Sequence, residues 1–299
     1  MRAEYRIEPC KSALNPVRGM PFRWSLNPYM GCVHRCTFCY VRGFERRADR
    51  PSDERYGRSI RVKTNVAEVL SRELTRKSWQ REEVAVGTAT DPYQPAEGRF
   101  RLTRACILAL ADAWTPFSII TRGPLIVRDV DVLQEASARV PVSVTVSLPT
   151  LDRHVWSTTE PGTAPPDSRL EAVRRLAEAG VDVGVGLAPI LPGLSDAPEQ
   201  LEAVVHAAKA AGARRVWAAP VNLRPGVREH FLAALAQDWP EHVPLYEALF
   251  ADRAYVPAGI ANPLLEHVRA AARSAPIPQG FRRVERRPES PPQQLTLAV

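Results

Sequence analysis

The chain has 299 residues, 45% hydrophobic and 24% charged, so its composition is that of a globular protein and excludes a fully disordered one. The net charge is +7, which permits a nucleic-acid partner without requiring one. No apolar run is long enough to span a bilayer and the first residues lack a signal-peptide segment, so we expect a cytoplasmic protein without a membrane association.

Short apolar strands alternate with amphipathic helices along most of the chain. Residues 1–22 are predicted to be irregular, and residues 42–59 are predicted to be a loop. Strands are predicted at 22–26, 84–86, 117–120, 142–147, 183–187 and 216–219, with an additional extended segment at 60–63. Helices are predicted at 65–77, 103–113, 127–138, 168–179, 198–211, 226–236, 244–250 and 257–275.

This alternation indicates an α/β protein, because near-continuously apolar strands between helices form parallel sheets covered by helices. The pattern contains about six β/α units, fewer than the eight of a closed barrel. An open, doubly wound sheet is the alternative. We expect an irregular N-terminal segment at 1–22, a core at 23–223, C-terminal helices at 224–275 and a disordered tail at 276–299.

One short loop after the first predicted strand carries three of the five cysteines, with the spacing C-x-x-x-C-x-x-C: Cys32, Cys36 and Cys39. Three thiolates can bind three irons of a [4Fe–4S] cluster, whereas ordinary electron-transfer clusters use four cysteines. An open position on the fourth iron indicates chemistry rather than scaffolding. Two alternatives remain: a Cys3His zinc site that includes His34, and a redox cluster with a fourth ligand from Cys10 or Cys106. Cys106 lies in an apolar helical run, where a free cysteine is typically a small buried hydrophobe.

Polar residues, prolines and glycines follow the other predicted strands. Ligands of parallel α/β proteins bind at the C-terminal ends of the strands, so these loops are expected to line one site. They lie at 87–97, 121–123, 147–150, 188–193 and 220–223.

The cysteine loop resembles the signature of the radical S-adenosylmethionine (radical SAM) enzymes. Four further motifs resemble the spore photoproduct lyase-related group, often labelled DNA repair photolyase-like: NPYMGC at 27–32, TDPYQPAE at 90–97, TRG at 121–123 and PILPG at 189–193. The match extends over residues 27–222. The resemblance implies a partial (β/α)6 barrel of the radical SAM type, here followed by a helical C-terminal extension.

The resemblance also implies two cofactors, a [4Fe–4S] cluster on the three cysteines and S-adenosylmethionine on its open iron. The reduced cluster would cleave S-adenosylmethionine to a 5′-deoxyadenosyl radical, which abstracts a hydrogen atom from a substrate that the sequence does not identify. A reducing partner such as flavodoxin or ferredoxin would supply the electron. Candidate contacts of S-adenosylmethionine are Thr88, Thr90 and Asp91 for its amino group, Arg169 for its carboxylate, Ser147 for its ribose, and Phe38 and Tyr40 for its adenine.

One position departs from the lyase pattern. Spore photoproduct lyase carries a hydrogen-donating cysteine three residues before an Asp-Pro pair, and the matching residue here is Thr88, before Asp91-Pro92. A hydroxyl O–H bond is too strong to donate hydrogen readily to a carbon radical, so the hydrogen-atom donor is left open. A second enzymatic interpretation is repair or modification of nucleic acid. The non-enzymatic alternative is an iron–sulfur or zinc regulator, or an electron carrier.

Overall fold

A seven-stranded sheet forms the centre of the structure, a computed structural model that describes residues 3–48, 50–53, 55–276 and 278. The strands are β1 (Glu4–Ile7), β2 (Leu14–Pro16), β3 (Trp24–Leu26), β4 (Tyr29–Met30), β5 (Ser59–Val62), β6 (Val84–Val86), β7 (Phe117–Thr121), β8 (Val142–Ser147), β9 (Val183–Ile190) and β10 (Arg215–Pro220). The sheet has the order β10-β9-β8-β7-β6-β3-β2, and β1-β5-β4 form a small separate sheet.

Helices follow the strands of the large sheet and continue beyond it. They are α1 (Val41–Arg47), α2 (Val66–Leu74), α3 (Pro95–Phe100), α4 (Leu102–Asp112), α5 (Val130–Arg139), α6 (Arg153–Thr159), α7 (Pro166–Glu178), α8 (Pro198–Ala210), α9 (Val227–Asp238), α10 (Val243–Leu249) and α11 (Ala258–Ser274). Two 3₁₀ helices, Pro124–Asp129 and Pro240–His242, precede α5 and α10. Among the helices of the described residues, none is both long and apolar enough to cross a membrane.

The six strands from β3 to β10 in the large sheet are parallel, and only β2 pairs antiparallel, with β3. This arrangement confirms the predicted α/β class with six β/α units. Within the described residues the hydrogen-bonded ladder does not close into a barrel, because β10 and β2 lie at its two edges.

The core lies between the sheet and its helices. Val86, Ile119, Val144 and Val185 occupy neighbouring strands and are fully buried. Burial of each such side chain stabilises the fold by about 1.5–3 kcal/mol relative to exposure. The strands therefore form a rigid base whose C-terminal ends position the loops of the site.

Three predicted regions differ in the structure. Residues 1–22 contain β1 and β2, so the prediction that they are irregular was wrong. The predicted loop at 42–59 begins with α1, whose seven residues VRGFERR have no apolar stripe to reveal a helix. α6 was not predicted; it begins at a capping residue, because the Asp152 carboxylate accepts hydrogen bonds from the backbone N–H groups of His154 and Val155.

The C-terminal part agrees with the sequence pattern as far as the structure describes it. α9, α10 and α11 lie within one to two residues of the predicted helices, and α11 packs against α8 and β10. The predicted disordered tail at 276–299 lies outside the described residues, apart from Pro276 and Pro278. The division into four segments stays a prediction.

Candidate metal and cofactor site

The cysteine loop connects β4 to α1. Cys32 and Cys36 are buried, Cys39 is half-buried, and all three are free thiols. The backbone N–H of Cys39 donates to the carbonyl of Cys36 at 3.2 Å, and the N–H of Arg42 donates to the carbonyl of Cys39 at 3.2 Å. The loop therefore turns directly into α1.

The three sulfur-bearing residues line a single cavity together with residues from the ends of neighbouring strands. After β6 the contributors are Gly87, Thr88, Thr90 and Asp91, and from the end of β7 they are Ile120, Thr121 and Arg122. The remaining lining residues are His34, Arg35, Tyr40, Val41 and Tyr56. The expectation that strand-end loops converge beside the cysteines is met for β6 and β7.

Gln94 holds the cysteine loop against the loop after β6. This side chain is fully buried, and its Nε2 donates to the carbonyl of Gly31 at 3.1 Å. Its Oε1 accepts from the backbone N–H of Val33 at 3.2 Å. The Thr90 hydroxyl donates to the same Gly31 carbonyl at 2.6 Å. One side chain thus satisfies backbone groups on both sides of Cys32.

Thr88 is fixed by two neighbours. Asn27 donates from Nδ2 to the Thr88 hydroxyl at 3.3 Å and accepts from the backbone N–H of Ala89 at 2.8 Å. The Tyr40 hydroxyl donates to the carbonyl of Thr88. The Thr88 hydroxyl oxygen accepts one hydrogen bond, from Asn27, so its second lone pair can accept from a ligand in the cavity that Thr88 lines.

Asp91 is a buried carboxylate surrounded by donors. Its Oδ1 accepts from the Tyr93 N–H at 2.9 Å and the Thr121 hydroxyl at 2.6 Å. Its Oδ2 accepts from the Arg122 N–H at 2.6 Å and lies 3.3 Å from His34 Nδ1. Burial alone would raise the pKa of Asp91, but His34 and these hydrogen bonds hold it at about 2. Asp91 therefore orients the protein's own groups around the cavity.

A buried ion network lies behind the cavity. Arg122 Nε donates to Glu160 Oε1 at 2.5 Å, and Arg169 Nη2 lies 2.8 Å from Glu160 Oε2. Burial opposes ionisation of Glu160, but Arg169 and Arg122 lower its pKa. Arg122 also donates from Nη2 to the carbonyl of Ala188 at 3.1 Å, which ties the ends of β7 and β9 together.

The end of α6 and the segment after it also hydrogen-bond to the cysteine loop. The Thr37 N–H donates to the carbonyl of Thr159 at 2.9 Å, and the Gly162 N–H donates to the carbonyl of His34 at 3.0 Å. A Cβ on Gly162 would lie 2.9 Å from His34 Cα and still closer to the Val33 carbonyl oxygen, distances that real Cβ atoms do not reach. Glycine is therefore required here by the close approach of the two backbones.

Seven of the ten predicted site residues line the same cavity: Cys32, Cys36, Cys39, Tyr40, Thr88, Thr90 and Asp91. Phe38, Ser147 and Arg169 do not line it. Phe38 is buried beneath the Arg122 guanidinium, 5.8 Å from the ring centroid, and Ser147 accepts from Arg169 through its carbonyl at 3.0 Å. Arg169 is 1% exposed, and its three guanidinium nitrogens all contact protein acceptors. For all ten residues, a contact with the cluster or with S-adenosylmethionine stays a prediction.

Four contributors to the site were not identified from the sequence. Arg122 and Gln94 lie inside the TRG and TDPYQPAE motifs, so a signal was present, but their partners could not be inferred from it. Tyr56, whose hydroxyl lies 3.5 Å from Cys39 Sγ, comes from a segment without any pattern. Glu160 follows α6, which was itself not predicted.

The donor set fits a three-cysteine cluster. Cys10 and Cys106 are the remaining cysteines, and neither lines the cavity. Burial raises the pKa of the Cys36 and Cys39 thiols, so a metal that binds them must displace protons. Across the described residues, no three His, Cys, Asp or Glu side chains meet in the arrangement of a single metal ion.

Comparisons with known proteins bear on the family. The chain is 42% identical over 262 residues to an uncharacterised protein of Mycobacterium tuberculosis (strain H37Rv), in a match that covers 87% of this chain and 77% of the relative. It is 30% identical over 224 residues to an uncharacterised protein of Acidianus two-tailed virus, over 71% of each chain.

Among solved structures, a cysteine-to-serine mutant of spore photoproduct lyase superposes with a TM-score of 0.68 at 14% identity, over 89% of this chain and 78% of the lyase. A spore photoproduct lyase complexed with dinucleoside spore photoproduct also has a TM-score of 0.68, at 13% identity and with the same coverage. This likeness shows the fold and confirms the predicted radical SAM-type architecture. The family model described as the radical SAM superfamily matches residues 26–208. The chain therefore belongs to the radical SAM superfamily.

Proposed function

We propose that this chain is a radical SAM enzyme whose Cys32, Cys36 and Cys39 hold a [4Fe–4S] cluster. When bound and reduced, the cluster would supply one electron to cleave S-adenosylmethionine to methionine and a 5′-deoxyadenosyl radical, which would abstract a hydrogen atom from a substrate. The observation that carries the proposal is the cavity lined by three free thiols at the C-terminal edge of the parallel strands. The other two cysteines lie elsewhere, which leaves one position of a cube for an external ligand.

The chain's own residues would hold the cofactors in three ways. Gln94 and Gly162 fix the cysteine loop, so the thiols are positioned before a cluster binds. Arg122 lines the cavity and its positive charge acts on Cys36, where it favours the thiolate. Thr88 and Thr90 offer hydroxyl oxygens within the same cavity for the amino group of S-adenosylmethionine.

For the carboxylate of S-adenosylmethionine, Arg122 is better placed than Arg169. Arg122 lines the cavity, and its Nε and Nη2 donate to protein groups. Arg169 does not line the cavity, and all three of its nitrogens donate to protein groups. We therefore extend the proposal to Arg122 as a guanidinium for the carboxylate of S-adenosylmethionine, in place of Arg169. A lysine at position 122 would keep the charge but lose the planar fork that matches a carboxylate.

The test is anaerobic reconstitution with iron and sulfide, reduction with dithionite, and quantification of 5′-deoxyadenosine. The wild-type protein should form it, and Cys36→Ala should not. Cys10→Ala is the matched control, because Cys10 is half-buried and lies outside the cavity. Zinc in place of iron and sulfide, or a loaded cluster without 5′-deoxyadenosine, would favour the regulator or electron-carrier alternative.

A second candidate function is modification or repair of nucleic acid, which several exposed aromatic side chains with nearby arginines favour. Tyr40 and Phe44 are 43% and 41% exposed, and the Arg47 guanidinium lies 4.9 Å from the Phe44 ring centroid. Tyr255, 58% exposed, accepts a hydrogen bond from Arg224 Nη2 at 2.8 Å. Exposed aromatic rings interleaved with arginines bind single-stranded nucleic acid by stacking and phosphate contact.

The contribution of these aromatic side chains to nucleic-acid binding can be tested separately. Phe44→Ala should weaken binding of a single-stranded oligonucleotide by about 1–3 kcal/mol if a base stacks on the ring. Binding should also fall steeply as salt rises. Leu245→Ala, which removes an exposed apolar side chain on α10, is the control. Equal losses in both variants, or no salt dependence, would remove the nucleic-acid candidate.

A further inference from the structure

Arg42 is a buried arginine at the point where the cysteine loop turns into α1. It is the second residue of that helix, and only 2% of it is exposed. Its guanidinium lies 4.6 Å from the centroid of the Tyr56 ring, and the Tyr56 hydroxyl lies 3.5 Å from Cys39 Sγ. Tyr56 therefore contacts both the Arg42 guanidinium and a sulfur that is predicted to bind the cluster.

In the described part of the chain, no carboxylate pairs with Arg42. Its Nη1 donates to the backbone carbonyls of Ser52 and Asp53 at 2.8 and 2.7 Å, while the Asp53 carboxylate pairs with Arg55 at 2.8 Å. Arg42 Nε is buried and has no hydrogen-bond acceptor among the described residues. A buried cation without a counter-charge is unfavourable, so an anion next to Arg42 would stabilise the fold.

Arg42 also holds the chain segment that packs against the cysteines. A few residues after the two carbonyls comes Tyr56, which forms a buried cluster with Cys32 and Cys39. A Cβ on Gly57 would overlap the carbonyl oxygen of Cys32, so the segment contacts the loop at its first and its third cysteine. Burial lowers the pKa of Arg42, whereas the ionised Cys39 thiol raises it. An anion that forms on these sulfurs would therefore act on the charge that lacks a carboxylate.

We infer that Arg42 is the internal counter-charge of the cluster and raises its reduction potential. The inference rests on the proposed function, because the anion is the cluster together with its three thiolates. Three thiolates outweigh the positive charge of a [4Fe–4S] core, and the one electron that reduces the core makes the assembly more negative without any change of covalent bonds. A buried positive charge favours the more negative form. Arg42 does not line the thiol cavity, so it would act through its charge rather than by contact with S-adenosylmethionine or substrate.

The primary measurement is the midpoint potential of the reconstituted protein by spectroelectrochemistry. Arg42→Gln should shift the reduction equilibrium about tenfold towards the oxidised cluster, which for a one-electron couple is a potential lower by about 59 mV. Arg42→Lys keeps the charge and should shift the equilibrium less than about threefold. The double variant Glu45→Gln/Arg61→Gln is the matched control, because it removes a buried guanidinium together with the carboxylate 2.8 Å away that neutralises it. Its potential should equal that of the wild type.

A second readout, bound iron and sulfide, applies if Arg42→Gln assembles too little cluster for a potential to be measured. Arg42→Lys should then still assemble the wild-type amount, whereas an equal failure of both variants would mean that Arg42 only holds its chain segment, and would overturn the inference. So would an unchanged potential in Arg42→Gln, or the same shift in Arg42→Lys or in the double variant. With 5′-deoxyadenosine still formed, those results leave the proposed function standing. A wild-type protein that assembles no cluster would instead refute the proposed function, and the inference with it.

Discussion

The buried pairing of Glu160 with Arg122 and Arg169 predicts a large loss of stability in Glu160→Gln. The substitution keeps the shape of the side chain and removes its charge, so two arginines lose their counter-charge. Arg169 and Glu160 are both 1% exposed, so the energetics are those of a buried pair. Removal of one partner of a buried pair costs about 3–5 kcal/mol, because the remaining charge is left uncompensated.

An exposed ion pair in the same part of the chain supplies the comparison. Arg153 Nη2 lies 2.6 Å from Asp167 Oδ2, and the two side chains are 74% and 71% exposed. Because water screens such a pair, Asp167→Asn should cost only about 0–1 kcal/mol. The two variants remove the same charge, but Glu160 is buried between two arginines and Asp167 is an exposed partner of one.

The assay is thermal unfolding of the metal-free protein under reducing conditions, followed by circular dichroism. At about 2 °C per kcal/mol for a chain of this size, Glu160→Gln should lower Tm by about 6–10 °C and Asp167→Asn by about 0–2 °C. Because the folded pKa of Glu160 is lowered, its contribution should be complete above its ordinary value of 4.5 and lost as pH falls through the folded value. Equal Tm shifts in the two variants would refute the reasoning from burial.

Three further predictions concern the cysteine loop. Gly162→Ala should abolish cluster incorporation, measured as bound iron and sulfide, because its Cβ would clash with the Val33 carbonyl; Gly98→Ala, where the new Cβ meets only Leu125 at 3.8 Å, should retain it. Gln94→Leu should destabilise the apoprotein by about 1–3 kcal/mol in urea unfolding, since buried backbone groups lose their partners; an unchanged midpoint would contradict this. Tyr56→Phe should lower the cluster's midpoint potential in spectroelectrochemistry, because the Tyr56 hydroxyl, 3.5 Å from Cys39 Sγ, would donate to the cluster-bound thiolate and favour the reduced form; an equal or higher potential would contradict it.

The sequence predicts the parts of the fold that depend on local pattern. β8 coincides with the predicted strand at 142–147. Its buried valines alternate with Ser and Thr side chains that are half-buried or buried, which is the period of a strand. α1 could not be predicted, because tertiary contacts hold it. Arg42 Nη1 donates to the carbonyls of Ser52 and Asp53 at 2.8 and 2.7 Å, and Glu45 accepts from Arg61 at 2.8 Å.

For the site, residue type and spacing are enough to identify the cysteine ligands. They do not identify the residues that hydrogen-bond to the cysteine loop or line the cavity. The C-x-x-x-C-x-x-C pattern carries the chemistry in a stretch of eight residues, so no tertiary information is needed to find Cys32, Cys36 and Cys39. Arg169 illustrates the limit: its place at the start of α7 suggested an open donor, yet its partners come from residues 147, 160 and 164. Which of two arginines faces a cavity depends on packing between segments distant in sequence.

Electron paramagnetic resonance of the reduced, reconstituted protein tests the central claim most directly, namely that three cysteines hold a [4Fe–4S] cluster with one position open for S-adenosylmethionine. Addition of S-adenosylmethionine should change the signal of the wild-type cluster, and the Cys10→Ala and Cys106→Ala variants should show the same response. A signal that is identical with and without S-adenosylmethionine, or a cluster whose assembly requires a fourth cysteine, would contradict the account.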